Sequence, residues 1–323
     1  MRAVCTRLSL LAIALAAVGS AACSSGPTTL AEPAERLEAL TAMDRRVGLV
    51  FHRLLTANVD LCPSTTLSAG WILHAAAPYS RALRPLAEAR FGLQGDLPGI
   101  LAVIPGGPAE QARLAPGDLI VGLNGTALAD GAGGEKPYNE GFASNVARLA
   151  QALETGGSKM TVLRAGQTLE TELMGRPACH YAVQVDPGGA LNAKADGRGV
   201  FISTAMVAQA QTEDELAMVL AHELAHNILE HHRDAATLGY LPWRAGKAER
   251  DADRLTLYLL VRAGFKAEPA VEFFRRYADT HWSARQPQWG HPSMMQRHRA
   301  LLLVADEISR QNASGLALGP FIQ

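Results

Sequence analysis

His222-Glu223-Leu224-Ala225-His226 places two imidazoles four residues apart, with a carboxylate beside the first. On a helix, positions i and i+4 lie on one face, one turn apart. His222 and His226 can therefore share one Zn²⁺, and Glu223 sits where a carboxylate reaches a water next to that ion. The chemistry expected is hydrolysis. Zinc lowers the pKa of such a water towards ~7, and Glu223 is placed to take the proton and hand it on to a leaving amine. The flanking residues are apolar (Leu216, Ala217, Val219, Leu220, Leu224, Ile228). Burying one glutamate and two histidines among them is costly without a partner.

A zinc site of this kind needs a third protein ligand and an open position. His232 stands ten residues after His222, but Leu229 occupies the place where a glycine would break the helix. A continuing helix would carry His232 away, so His231 and His232 read as solvated residues of a helix end. The other candidate is Glu249 in Glu249-Arg250-Asp251-Ala252-Asp253, on a helix running to about Ala263 and ended by Gly264. Glu249 and Asp253 are again i and i+4. One can ligate while the other receives the second N–H of a ligand histidine.

The elements that position these residues are legible around them. Thr212 and Glu215 form a capping box that starts the helix of His222. Gly199–Ser203 reads as a strand available to pair with an extended substrate. Ser293 and Gln296 form a second capping box, which starts the last helix. Residues 32–56 read as a helix with Leu37, Leu40, Val47, Val50 and Leu54 near a 3.6 period.

Three stretches in order carry a family resemblance: 212–226 (Thr-Glu-Asp-Glu-Leu-Ala-x-Val-Leu-Ala-His-Glu-Leu-Ala-His), Glu-x-x-x-Asp at 249–253, and His-Pro-Ser-x-x-x-Arg at 291–297. They resemble the HtpX/Oma-type gluzincins, family forty-eight of the metallopeptidases. The resemblance spans residues 180–310 well and 30–80 weakly. It implies a zinc endopeptidase with one Zn²⁺ per chain, held by His222, His226 and Glu249. It further implies Asp253 behind a ligand histidine, His291 near the transition-state oxyanion, and Arg297 as a supporting contact. A lipoprotein-like periplasmic branch is the closer match, because HtpX itself carries transmembrane helices.

A second resemblance lies at about residues 88–175. Gly106-Gly107-Pro108-Ala109 followed by Leu114-x-Pro-Gly-Asp-x-Ile120 is similar to the PDZ domains attached to bacterial envelope proteases. That resemblance implies a module that binds peptide C-termini or segments. Phe91-Gly92-Leu93 would supply backbone N–H groups for a carboxylate, and the helix from Asn145 to Leu153 would flank the groove.

The N-terminus reads as an export signal. Arg2 and Arg7 precede an apolar run from Leu8 to Val18, and small residues lead to Cys23. Cys23 is expected to carry lipid, although Ser20 stands where the usual box has leucine. Ordinary cleavage after Ala22 is the alternative. Cys62 and Cys179 then remain in a chain sent to an oxidising compartment, where a disulfide between them is expected and two buried free thiols are the alternative. The 323 residues suggest two domains. A net charge of −1 offers no basic excess, so nucleic acid is not an expected partner.

The expected fold is α+β. A mainly helical peptidase domain with a small sheet (32–87 and 176–323) receives a β-rich PDZ insert (88–175), after a signal peptide (1–22) and a tether (23–31). The expected function is zinc-dependent hydrolysis of unfolded or misassembled envelope proteins, with PDZ-assisted recognition and a lipid anchor in the membrane facing the periplasm. The alternative is a latent or non-catalytic envelope chaperone or scaffold that binds peptides through the PDZ domain.

Overall fold

The structure is a computed structural model and describes residues 32–131, 140–233, 242–280 and 292–314. The expected signal peptide, Cys23 and His291 lie outside the described residues.

Helix α1 (Pro33–Ala57) is apolar on two sides and is buried on both. Leu37 packs into the core of a β-rich body. Val47, Val50, Phe51, Leu54 and Leu55 pack into a helical core. After α1 the chain runs through β1 (Thr65–Ser68) and β2 (Trp71–His74). The β-rich body continues with α2 (Arg84–Phe91), β3 (Gly99–Val103), α3 (Pro108–Gln111), β4 (Leu119–Leu123) and β5 (Thr126–Ala127). It closes with α4 (Glu140–Glu154), β6 (Ser158–Arg164) and β7 (Gln167–Leu173). Its strands pair antiparallel in the order β2-β3-β4-β6-β7, with β5 on β4. The sheet therefore begins at Trp71, on the N-terminal side of the boundary expected at residue 88. Asp118, almost fully buried, holds this body together by accepting from Arg164 Nε at 2.5 Å and from the Ala115 N–H at 2.9 Å.

The chain returns along β8 (Arg176–Cys179), which pairs antiparallel with β1 from Thr65↔Cys179 to Ser68↔Arg176. A disulfide between Cys62 and Cys179, with Cα atoms 5.6 Å apart, closes the base of this ribbon. The pairing expected for these two cysteines is thus present.

A second small sheet follows, built from β9 (Ala182–Asp186), β10 (Ala193–Ala195) and β11 (Gly199–Ser203) in the order β10-β11-β9. Strand β11 is parallel to β9 and antiparallel to β10. The helical half comprises α5 (Thr204–Gln209), α6 (Glu213–Ile228), α7 (Pro242–Arg262), α8 (Ala267–Thr280) and α9 (Met294–Ala313). Helix α6 is apolar nearly all round, so it runs through the middle of the core. Leu216, Met218, Leu220, Leu224 and their alanine neighbours are buried against α1, α7 and α8. Each such large side chain contributes roughly 1.5–3 kcal/mol on burial. The expected capping boxes are present at both helix starts, Thr212 with Glu215 and Ser293 with Gln296.

Candidate metal centre

Helix α6 places His222 and His226 one turn apart, and α7 brings Glu249 against them. The Nε2 atoms of His222 and His226 are 3.2 Å apart. Glu249 Oε2 is 3.4 Å from His222 Nε2, and Glu249 Oε1 is 3.5 Å from His226 Nε2. Tetrahedral zinc with ligand bonds of 2.0–2.1 Å separates neighbouring donors by about 3.3–3.4 Å. The three donors therefore suit zinc in both chemistry and spacing. They form the one such cluster among the described residues.

Asp253, one turn after Glu249, lies behind this group. Its Oδ1 is 3.2 Å from His222 Nδ1, the nitrogen turned away from the other donors. Asp253 also accepts from Arg297 of α9, at 2.9 Å from Nε and 2.5 Å from Nη2. The guanidinium stacks over the Phe274 ring at 4.5 Å. All three of Glu249, Asp253 and Arg297 are buried. Burial and Arg297 oppose charge on His222, but hydrogen bonds to Asp253 and Glu249 outweigh them and push its pKa up to about 9. Burial also works against the Glu249 carboxylate, yet His222, His226 and Arg297 hold it far below the usual carboxylate range. Asp253 is held low in the same way, against burial, by Arg297 and His222. With Glu223, three carboxylates face one guanidinium, a balance that favours a bound cation.

The centre opens on a cleft of about 1030 Å³. Glu223 lines it beside His222 and His226. One wall is apolar, formed by Phe273, Phe274 and Tyr277 of α8 with Met206 and Met294. Another is strand β10, residues 193–195, which is an edge of its sheet. This corrects the expectation for Gly199–Ser203. That stretch is β11, which has neighbours on both sides, so its ladder groups are committed to β9 and β10.

Two other expectations change. Phe91 ends helix α2, Gly92 is its left-handed cap with φ 67°, and the Gly92 N–H donates to Glu88 O at 2.9 Å. Leu93 is buried. Phe91 and Gly92 thus form a helix end, with the Gly92 N–H committed to Glu88. Nor does α6 continue through His232. It stops at Ile228, and Glu230 takes a left-handed φ of 53°. His232 is exposed at the cleft lining, and His231 turns back onto the donors with Nδ1 2.9 Å from His226 Nδ1.

Asn227 is a further residue that the sequence reading passed over. It is buried, accepts from the Gly197 N–H at 2.7 Å and donates to Gly199 O at 2.9 Å. It thereby ties the β10–β11 turn to the helix of the ligands. Its signal was its place one helical turn after Glu223, on the same face.

A buried helix bearing two histidines and a glutamate, a carboxylate ligand from the next helix and an adjoining edge strand define a metallopeptidase-like centre. Residues 161–244 match peptidase family M48, which supports a peptidase of the metal-dependent kind. The matched stretch contains His222, Glu223 and His226 and ends before Glu249, so the third donor rests on geometry. No curated protein matches the chain.

Proposed function

We propose that this chain is a zinc-dependent endopeptidase of the bacterial cell envelope. The observation that carries the reading is the convergence of His222 Nε2, His226 Nε2 and Glu249 in a cleft lined by Glu223. Bound zinc supplies a Lewis acid at the meeting point of these donors. Glu223 takes a proton from the attacking water and returns it to the leaving nitrogen. Among the described residues β10 has no neighbour on its outer edge, and that edge offers main-chain groups to an extended peptide, which favours unfolded segments over folded cores. The apolar wall of α8 receives substrate side chains. His291 is proposed to assist at the oxyanion, on the strength of the His-Pro-Ser stretch alone.

The disulfide supports an oxidising compartment, and the N-terminal sequence supports export with a lipid on Cys23. The β-rich body is proposed as a PDZ-type module that binds peptide segments. Its support is the Gly106–Ala109 turn into α3 and the Leu114–Ile120 run into β4. Purified protein is expected to hold one zinc per chain. Glu223→Gln should keep the metal and lose casein cleavage by about 10²–10⁴-fold, the usual worth of a general base. A fully active Glu223→Gln variant would sink the mechanism.

A further inference from the structure

Helix α6 ends abruptly. The Leu229 N–H still donates to Ala225 O, but Glu230 then adopts φ 53° and the Arg233 N–H donates to Glu230 O. A left-handed conformation is sterically disfavoured for a residue with a Cβ. Such an outlier is worth explaining by what it accomplishes. Here the turn brings the His231 ring back onto His226. Their Nδ1 atoms are 2.9 Å apart, and the rings meet edge-on with centroids at 5.0 Å.

The nitrogen of His226 that His231 meets is the one not facing His222 and Glu249. An imidazole whose Nε2 offers a lone pair to a metal carries its proton on Nδ1. Two nitrogens at hydrogen-bond distance share one proton, so His226 donates through Nδ1–H and the His231 Nδ1 accepts. His231 is not itself a donor to the cluster of His222, His226 and Glu249.

We propose that His231 is a positioning residue that fixes the tautomer and ring orientation of His226, as Asp253 does for His222. The inference rests on the zinc reading of the site. The two ligand histidines then have different supports: a carboxylate locked by Arg297 for one, and an imidazole on a left-handed turn for the other. Outer partners of this kind typically contribute 10–100-fold in metal affinity.

The test measures zinc affinity of the full chain by chelator competition, for wild type, His231→Ala, His231→Asn and His232→Ala. His231→Ala should weaken binding by about 10–100-fold. His231→Asn should recover most of the loss, because its Oδ1 can accept the same proton. The exposed His232→Ala should match wild type. Nitrogen-15 spectra of the zinc-loaded protein should show His226 protonated at Nδ1, and melting of the metal-free His231→Ala protein should match wild type. Unchanged affinity in His231→Ala overturns the proposal. So does a loss that asparagine does not restore and that comes with a lower metal-free melting temperature, since that is a structural role. Failure of wild type to bind zinc would instead remove the zinc reading itself.

Discussion

Asp253 serves two groups at once, a ligand imidazole and a buried guanidinium, so its replacement separates two effects. Asp253→Asn leaves the buried Arg297 without its hydrogen-bonded carboxylate, with Glu249 at 3.6 Å and Glu223 as the remaining counter-charges. Breaking a buried pair from one side costs about 3–5 kcal/mol. The metal-free protein should therefore melt lower, and zinc affinity should fall by about 10–100-fold. Calorimetry without metal and chelator competition read the two losses separately. Glu249→Ala should lower zinc affinity further than Asp253→Asn does, and His232→Ala should lower it not at all. If His232→Ala emptied the site instead, the donor set would be wrong. Glu230→Gly should leave zinc affinity intact and raise the melting temperature, since glycine adopts the left-handed turn freely. The spacing of His222, Glu223, His226, Glu249 and Asp253 was legible because i and i+4 periodicity is local. His231 was not. Its position depends on a left-handed glutamate, a residue type that gives no signal of where a helix will turn.

At the scale of elements, Asn227 registers the edge strand against the ligand helix. The turn it grips needs Gly197, whose φ is 87° and whose missing Cβ makes room for the His232 ring. Asn227→Ala leaves the donors untouched but frees β10. KM should rise several-fold with zinc content unchanged, because the lost interaction binds substrate before reaction. A lower kcat at constant KM would contradict this. A different junction joins α1 to β2. There burial pushes Asp44 up to about 6, while burial and Arg45 push His74 down to about 4. The His74 Nδ1 pairs with the Tyr79 hydroxyl at 3.0 Å. A raised carboxyl means the folded state holds the extra proton, so its stability contribution is lost as pH rises from about 4 to 6. A depressed histidine does the opposite, and the two trends offset one another. Asp44→Asn removes only the first. It should raise stability at pH 7 by about 1–2 kcal/mol and leave stability climbing from pH 4 to 6. Melting temperatures across that range check both signs.

The whole molecule is less divisible than its composition suggests. The shift to Gly- and Pro-rich sequence near Arg90 is a local signal. The sheet it announces recruits β2, a four-residue strand whose partner β3 lies beyond an intervening helix. Helix α1 is buried by both cores, a fact that a single apolar period cannot convey. Excising 88–175 would strand β2 and expose one face of α1, so that deletion should cost stability even though no proposed zinc donor lies inside it. The disulfide gives the cleaner test of how the β-rich body is attached. Cys62 and Cys179 are separated by 117 residues and sit where β1 and β8 leave and rejoin the helical core. In the chain-entropy account a cross-link acts on the unfolded ensemble, and closing a loop of ~100 residues is worth about 4.7 kcal/mol. The ribbon ladder and the packing of Cys179 beside Ala178 persist in the folded state without the bond. The donors of the metal centre stand on α6 and α7, which share a buried cluster with Cys179, and the other members of that cluster hold the two helices without the bond. A Cys62→Ala/Cys179→Ala double variant should thus melt roughly 10 °C lower, at about 2–4 °C per kcal/mol for a chain of this size. It should still hold one zinc per chain and cleave casein below its melting point. Loss of the metal at temperatures where the variant remains folded would show that the ribbon's base positions the ligands, contrary to this account.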